Sequence, residues 1–181
     1  CNLDVFCLAT PDYGGAIPER LLHPRRILGG VRRGVEDGGN KSGIPTVAGA
    51  LVFDDRYLGK PLIYCGTVGW MPRMIAGRPC EIKEVRKGDR VCMVGGRIGK
   101  DGIHGATFSS LALGDDSPVT AVQLGDPITQ KRAADFLLEA RDLGLYRAIT
   151  DNGAGGLSSS VGEMARLSGG AKIDVARART K

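Results

Sequence analysis

The sequence predicts an α+β fold of mixed α and β layers, and three observations lead there. Apolar residues recur at helical spacing in two long segments, short β-prone runs lie between them, and glycine-rich loops separate the two kinds of element. With 181 residues, 42% of them apolar, the chain can bury a core. Aromatic residues make up only 5% while glycines number 28, so much of the length is given to tight turns and close backbone approaches.

The first helix is expected over His23 to Glu36. Pro24 suits its first turn, Ile27, Leu28, Val31 and Val35 share one face, and Gly38-Gly39-Asn40 supplies a stop. Two strands follow, Thr46 to Phe53 and Leu62 to Trp70, separated by the polar turn around Asp54 and Gly59-Lys60-Pro61. They are expected to pair within one sheet. The stretch from Met71 to Lys87, with Pro72, Gly77, Pro79 and many charges, is the expected crossing between two lobes, which gives domains over 1–78 and 79–181.

Beyond it, Arg90 to Val94 reads as a short strand running into the glycine-rich loop Gly95 to Gly105. Asp126 before Pro127 caps a helix whose apolar face is Ala133, Phe136, Leu137, Ala140 and Leu143, ending at Gly144. Leu145 to Thr150 is expected as a strand. It leads through Asp151-Asn152-Gly153-Ala154-Gly155-Gly156 into a helix opened by Ser158 to Ser160, with Val161, Met164, Ala165 and Leu167 on one side. A strand, a glycine loop and a helix in that order is a recurring phosphate-side arrangement.

Composition narrows the function classes. The net charge of +5 comes from Lys and Arg dispersed among Asp and Glu, without the basic stripe and interleaved aromatics of a nucleic-acid surface. No run approaches the ~20 apolar residues of a membrane helix, so neither a nucleic acid nor a membrane is an expected partner. Cys1, Cys7, Cys65, Cys80 and Cys92 form no CxxC pair and have two histidines in the whole chain for company. They are expected to be reduced, mostly buried thiols of a cytoplasmic protein. The Cys1 start and the Lys181 end lead to the expectation of a piece of a longer polypeptide.

Several residues carry chemistry. Asp151 sits where a strand meets a glycine loop, a position that suits a hard oxygen ligand for Mg²⁺ and also suits an Asp that caps the next helix or closes a turn with its own side chain. Gly153, Gly155 and Gly156 let phosphate oxygens approach the backbone, or simply supply positive φ. The Gly95 to Gly105 loop has neither a P-loop ending nor dinucleotide spacing. Within it Asp101 and His104 either bind substrate or fix the loop by hydrogen bonding. Gln123 offers an amide to a substrate amide or hydroxyl, or to a sheet edge. Ser109 and Ser110 lack the His and Asp of a nucleophile.

Taken together, three segments resemble the synthetase subunit of phosphoribosylformylglycinamidine synthase. HPRRILGGVRRGVEDGGNKSGIPTVAGALVFDDRYLGKPLIYCGTVG (23–69) resembles the family's helix, its GN-x-x-GIPT turn and its FDE-x-Y strand pair. VGGRIGKDGIHGATFSS (94–110) is similar almost residue for residue to VGGxTGRDGIHGAxFxS. AVQLGDP together with ITDNGAGGLSSSVGEMA (149–165) is similar to VQxGDP and DMGAAGLxSSxxEMA. In this chain Asn152 stands for the usual Met, and Ile98 and Lys100 for the usual Thr and Arg.

The resemblance implies the latter part of an amino-terminal lobe of the aminoimidazole ribonucleotide synthetase type, followed by the start of a carboxy-terminal α/β lobe. It implies ATP as a substrate, Mg²⁺, and ligation of ammonia onto formylglycinamide ribonucleotide through an iminophosphate. Glutamine supplies that ammonia through an amidotransferase subunit or domain. Residue by residue, it makes Asp151 a Mg²⁺ ligand, places Gln123 and His104 on the ribonucleotide, and sets Gly153, Gly155 and Gly156 near the nucleotide. No catalytic residue is expected in this piece, which alone would be inactive, and an uncovered sheet edge would favour a homo-oligomer. The alternatives are a sister enzyme of the aminoimidazole ribonucleotide or selenophosphate synthetase type, or a non-catalytic scaffold of the same fold.

Overall fold

The computed structural model describes residues 1–100, 104–111, 125–153, 155–178 and 180. They form two compact units, Cys1–Trp70 and Met71–Lys181. The architecture is α+β, with helices and a sheet of mixed strand direction.

In the first unit the central strand is β1, Asn2–Leu8, which the sequence reading passed over. Its even positions Asp4, Phe6 and Leu8 are buried, whereas Leu3 is exposed, the alternation of a strand with one packed face. Strand β2, Thr46–Phe53, runs parallel to β1, and β3, Leu62–Thr67, runs antiparallel on its other side, giving the order β2-β1-β3. The two expected strands therefore share a sheet but do not pair with each other. The seven-residue β1 lies between them, and the Asp among its apolar residues hid the alternation.

Helix α1, Pro24–Ser42, joins β1 to β2, as parallel pairing requires. It runs past the expected stop, because Gly38 and Gly39 continue the half-covered face of Ile27, Leu28, Val31 and Val35. A methyl on Gly39 would lie 3.3 Å from the Ile44 carbonyl oxygen, so the glycine permits that close approach. The helix ends instead at Gly43, left-handed at φ 74°, whose N–H donates to the Gly39 carbonyl.

The second unit opens with the two-residue strands β4, Met74–Ile75, and β5, Arg78–Pro79, which pair antiparallel. Helix α2, Gly105–Ser110, helix α3, Pro127–Asp142, and helix α4, Gly156–Ser168, follow. Asp126 caps α3 as expected, its Oδ1 accepting from the amides of Ile128 and Thr129 at 3.1 Å. Ala140 and Val161 are the buried apolar residues of this unit among those described.

Neither Arg90–Val94 nor Leu145–Thr150 is a strand. Apolar runs of this length become strands only when a neighbour pairs with them, and no ladder among the described residues includes either. The second is instead tied down at single points. The Glu84 amide donates to the Arg147 carbonyl, and the Tyr146 hydroxyl to the Leu137 carbonyl at 3.2 Å. The cysteines are all free, but none is buried: Cys1, Cys65 and Cys92 are exposed, and Cys7 and Cys80 half-buried. Cys65 lies on β3, an outer strand, where an apolar run does not guarantee cover.

Candidate functional site

The best-defined constellation is the loop from Thr150 to Gly156 and the start of α4. Asp151 is exposed, and its Oδ1 accepts the Gly153 amide hydrogen at 2.7 Å, closing a turn through its own side chain. Gly153 returns a carbonyl to the Gly156 amide at 3.0 Å. Gly155 and Gly156 adopt left-handed φ values of 82° and 55°, a conformation that swings the chain into the helix and that L side chains rarely take. The turn-making uses that the residue types allow are thus realised at Asp151, Gly155 and Gly156.

Helix α4 holds this loop from the other side. The buried Ser160 hydroxyl donates to Asn152 Oδ1, and the Thr150 hydroxyl donates to Glu163 Oε2 at 3.2 Å. No periodic signal marks these tethers, although a run of three serines entering a helix invites the question of what their hydroxyls bond.

Upstream, an ion-pair network fixes the 78–89 segment against Arg147. Glu84 accepts from Arg78 at 3.1 Å and from Arg86, and Asp89 accepts the Arg86 amide at 2.9 Å and the Arg147 guanidinium. The Arg86 guanidinium first, then that of Arg78, holds the Glu84 carboxyl below its ordinary value. For Asp89 the Arg86 backbone amide is the main cause of a similar lowering, with Arg147 adding to it.

His104 immediately precedes α2. It is exposed, sits in the left-handed region at φ 59°, and makes no side-chain cap to the helix. A non-glycine residue held there is uncommon, and such strain gathers at functional positions. No hydrogen bond among the described residues joins His104 to the Asp151 loop. Gln123 and Asp101 lie outside the described residues. Among the described residues there is no cluster of three or more His, Cys, Asp or Glu side chains able to enclose a metal ion. A cavity of about 390 Å³ in the first unit, bordered by Asp4, Arg32, Glu36 and Thr46, includes none of the predicted site residues.

Residues 86–181, just over half of the chain, match the family model described as AIR synthase related protein, C-terminal domain. The chain belongs to the AIR synthase related family. The Asp151 loop and α4 fall within this C-terminal domain. Beyond the domain, the likeness extends over most of the chain to proteins named phosphoribosylformylglycinamidine synthase subunit PurL. That of Thermoplasma acidophilum is 46% identical over 158 residues, covering 86% of this chain and 20% of the relative. That of Methanopyrus kandleri is 40% identical over 178 residues, covering 89% of this chain and 24% of the relative. A solved structure, T. maritima PurL complexed with FGAR, superposes with a TM-score of 0.61 at 29% identity, over 91% of this chain and 24% of that one. The chain thus spans between a fifth and a quarter of these relatives. The relatives named PurL bear out the resemblance to the synthetase subunit that the sequence shows.

No helix among the described residues is long and apolar enough to cross a membrane.

Proposed function

We propose that this chain forms part of the ATP-dependent synthase that converts formylglycinamide ribonucleotide to formylglycinamidine ribonucleotide in purine biosynthesis. The observation that carries the reading is the likeness of nine-tenths of the chain to a PurL solved with FGAR, joined to an exposed carboxylate pinned at the head of α4.

In this reading ATP transfers its γ-phosphoryl group to the substrate amide oxygen and leaves as ADP. Ammonia, released from glutamine by an amidotransferase partner, then adds at the amide carbon, and phosphate departs with the original oxygen to leave the amidine. Charge accumulates on the phosphoryl oxygens, so fixed donors and cations stabilise the transfer.

Mg²⁺ needs only one or two protein carboxylates when phosphates complete its octahedron. The donor chemistry here fits one such position: Asp151 is a hard oxygen ligand, exposed, and set in place by the Gly153 amide. Bound there, the ion would neutralise phosphate charge. The backbone at Gly153, Gly155 and Gly156 gives the phosphates room, and Gln123 and His104 orient the ribonucleotide.

Calorimetric titration of the full-length synthase tests this. Formylglycinamide ribonucleotide is added with Mg²⁺ and a non-hydrolysable ATP analogue, beside Asp151→Asn and Gln123→Ala variants. The expected result is substrate binding that Gln123→Ala weakens, with Asp151→Asn affecting only the metal-dependent part. Binding of nucleotide without this substrate would move the function to a sister synthetase, and binding of neither would leave a scaffold.

A further inference from the structure

We propose that Ser160 is a positioning residue for Asp151, acting through Asn152. The inference rests on the reading of Asp151 as a metal ligand, but the geometry behind it is independent of that reading. Ser160 is only 6% exposed, next to the core residue Val161, and its hydroxyl donates to the side-chain oxygen of exposed Asn152. The other acceptor in reach is the Leu157 carbonyl at 3.2 Å, the usual partner of a serine inside a helix and the longer of the two contacts.

Consecutive loop residues are therefore anchored on both sides of Asp151. Thr150 is held by Glu163 at 3.2 Å, Asn152 by Ser160, and Gly153 by the Asp151 carboxylate itself at 2.7 Å. The Thr150 contact is exposed to competing water, whereas the Ser160 contact is rooted in a buried residue. Ser160 is thus the anchor that ties the loop to the body of α4. A carboxylate that must meet a small cation with near-ideal geometry gains from such an outer partner, whose removal typically weakens metal affinity 10–100-fold.

The test uses the full-length synthase, labelled with ¹⁵N-glycine, and Mn²⁺ alone as the probe, with two readouts at the Gly153 amide: hydrogen exchange and paramagnetic broadening. In Ser160→Ala, exchange is expected to rise and the Mn²⁺ midpoint to move up about tenfold. Ser160→Thr, which keeps the hydroxyl, should restore both. Asn152→Ala cuts the same bond from the exposed side and should reproduce the Ser160→Ala result, which covers a Ser160 variant that fails to fold. Unchanged exchange and an unchanged Mn²⁺ midpoint in both cut variants would overturn the proposal. If Mn²⁺ broadens nothing near residue 153 in the parent synthase, the metal reading of Asp151 fails. The exchange comparison then still decides whether Ser160 holds the loop.

Discussion

The Gly153 amide donates to Asp151 Oδ1 at 2.7 Å, and a methyl group on Gly153 would stand 2.5 Å from that same oxygen. The turn and the bare α-carbon are thus one device. Because the clashing atom is the free end of a flexible side chain, Gly153→Ala should be relieved by swinging the carboxylate away rather than by moving backbone. The expected outcome is a stability change within about 0.5 kcal/mol, the usual range for surface substitutions. The residue 153 amide should lose its protection from hydrogen exchange. A large loss of stability with the amide still protected would mean that the backbone, not the carboxylate, gives way.

Gly155 behaves differently because its constraint is conformational. It sits at φ 82° as the cap of α4, and an added methyl would also meet Ser159 Cβ at 2.8 Å. Gly155→Ala should cost about 1–2 kcal/mol, the penalty of a left-handed L-residue. Denaturant unfolding followed through α4 amides would measure it. No loss would show that the entry to α4 can be rebuilt without positive φ.

These two glycines mark what was legible in the sequence. Strong local chemistry was readable: Asp126 before Pro127 gave the cap of α3, and Thr46–Phe53 was found to the residue. Pairing was not readable, since β1 inserts between β2 and β3 through non-local hydrogen bonds that no local pattern encodes. For the same reason Arg90–Val94 looked like a strand while lacking a partner. Gly38 and Gly39 looked like a stop, although their place on the covered face of α1 makes them part of it. In the candidate loop, Asp151 and its glycines stand out by residue type at a loop–helix junction. Ser160 and Asn152 escaped because their bond joins side chains eight positions apart whose burial only the fold decides.

Asp4 is the buried charge-bearing residue of the central strand, and Thr46 meets it from β2. The Thr46 hydroxyl donates to Asp4 Oδ2 at 2.6 Å, while Oδ1 is buried with no hydrogen-bond partner. Thr46→Val keeps the shape and removes the donor, leaving both carboxylate oxygens without it. A buried acceptor stripped of its partner costs about 1–3 kcal/mol. Denaturant unfolding and faster exchange of β1 amides should report the loss. An unchanged midpoint would mean that water already serves the carboxylate. Cys65 lies opposite Asp4 across the β1–β3 ladder, and its thiol is pushed up, first by partial loss of solvent around it and then by that neighbouring carboxylate.

Asp54 offers a prediction about pH. The Arg56 side chain, and then the Arg56 backbone amide, lower its carboxyl from 3.8 to about 2. A carboxyl whose folded value lies below its unfolded value stabilises the fold when ionised. Its contribution is therefore complete above roughly pH 4 and lost as pH falls through about 2. Carboxyl-detected titration should give a midpoint near 2. Because the group is exposed, raising the salt concentration should draw that midpoint upward. Arg56→Gln removes the largest cause and should return most of the way to the ordinary value, the remainder being the backbone amide. A parent midpoint already at the ordinary value would show that the forked contact of Arg56 with Asp54 does not persist in water.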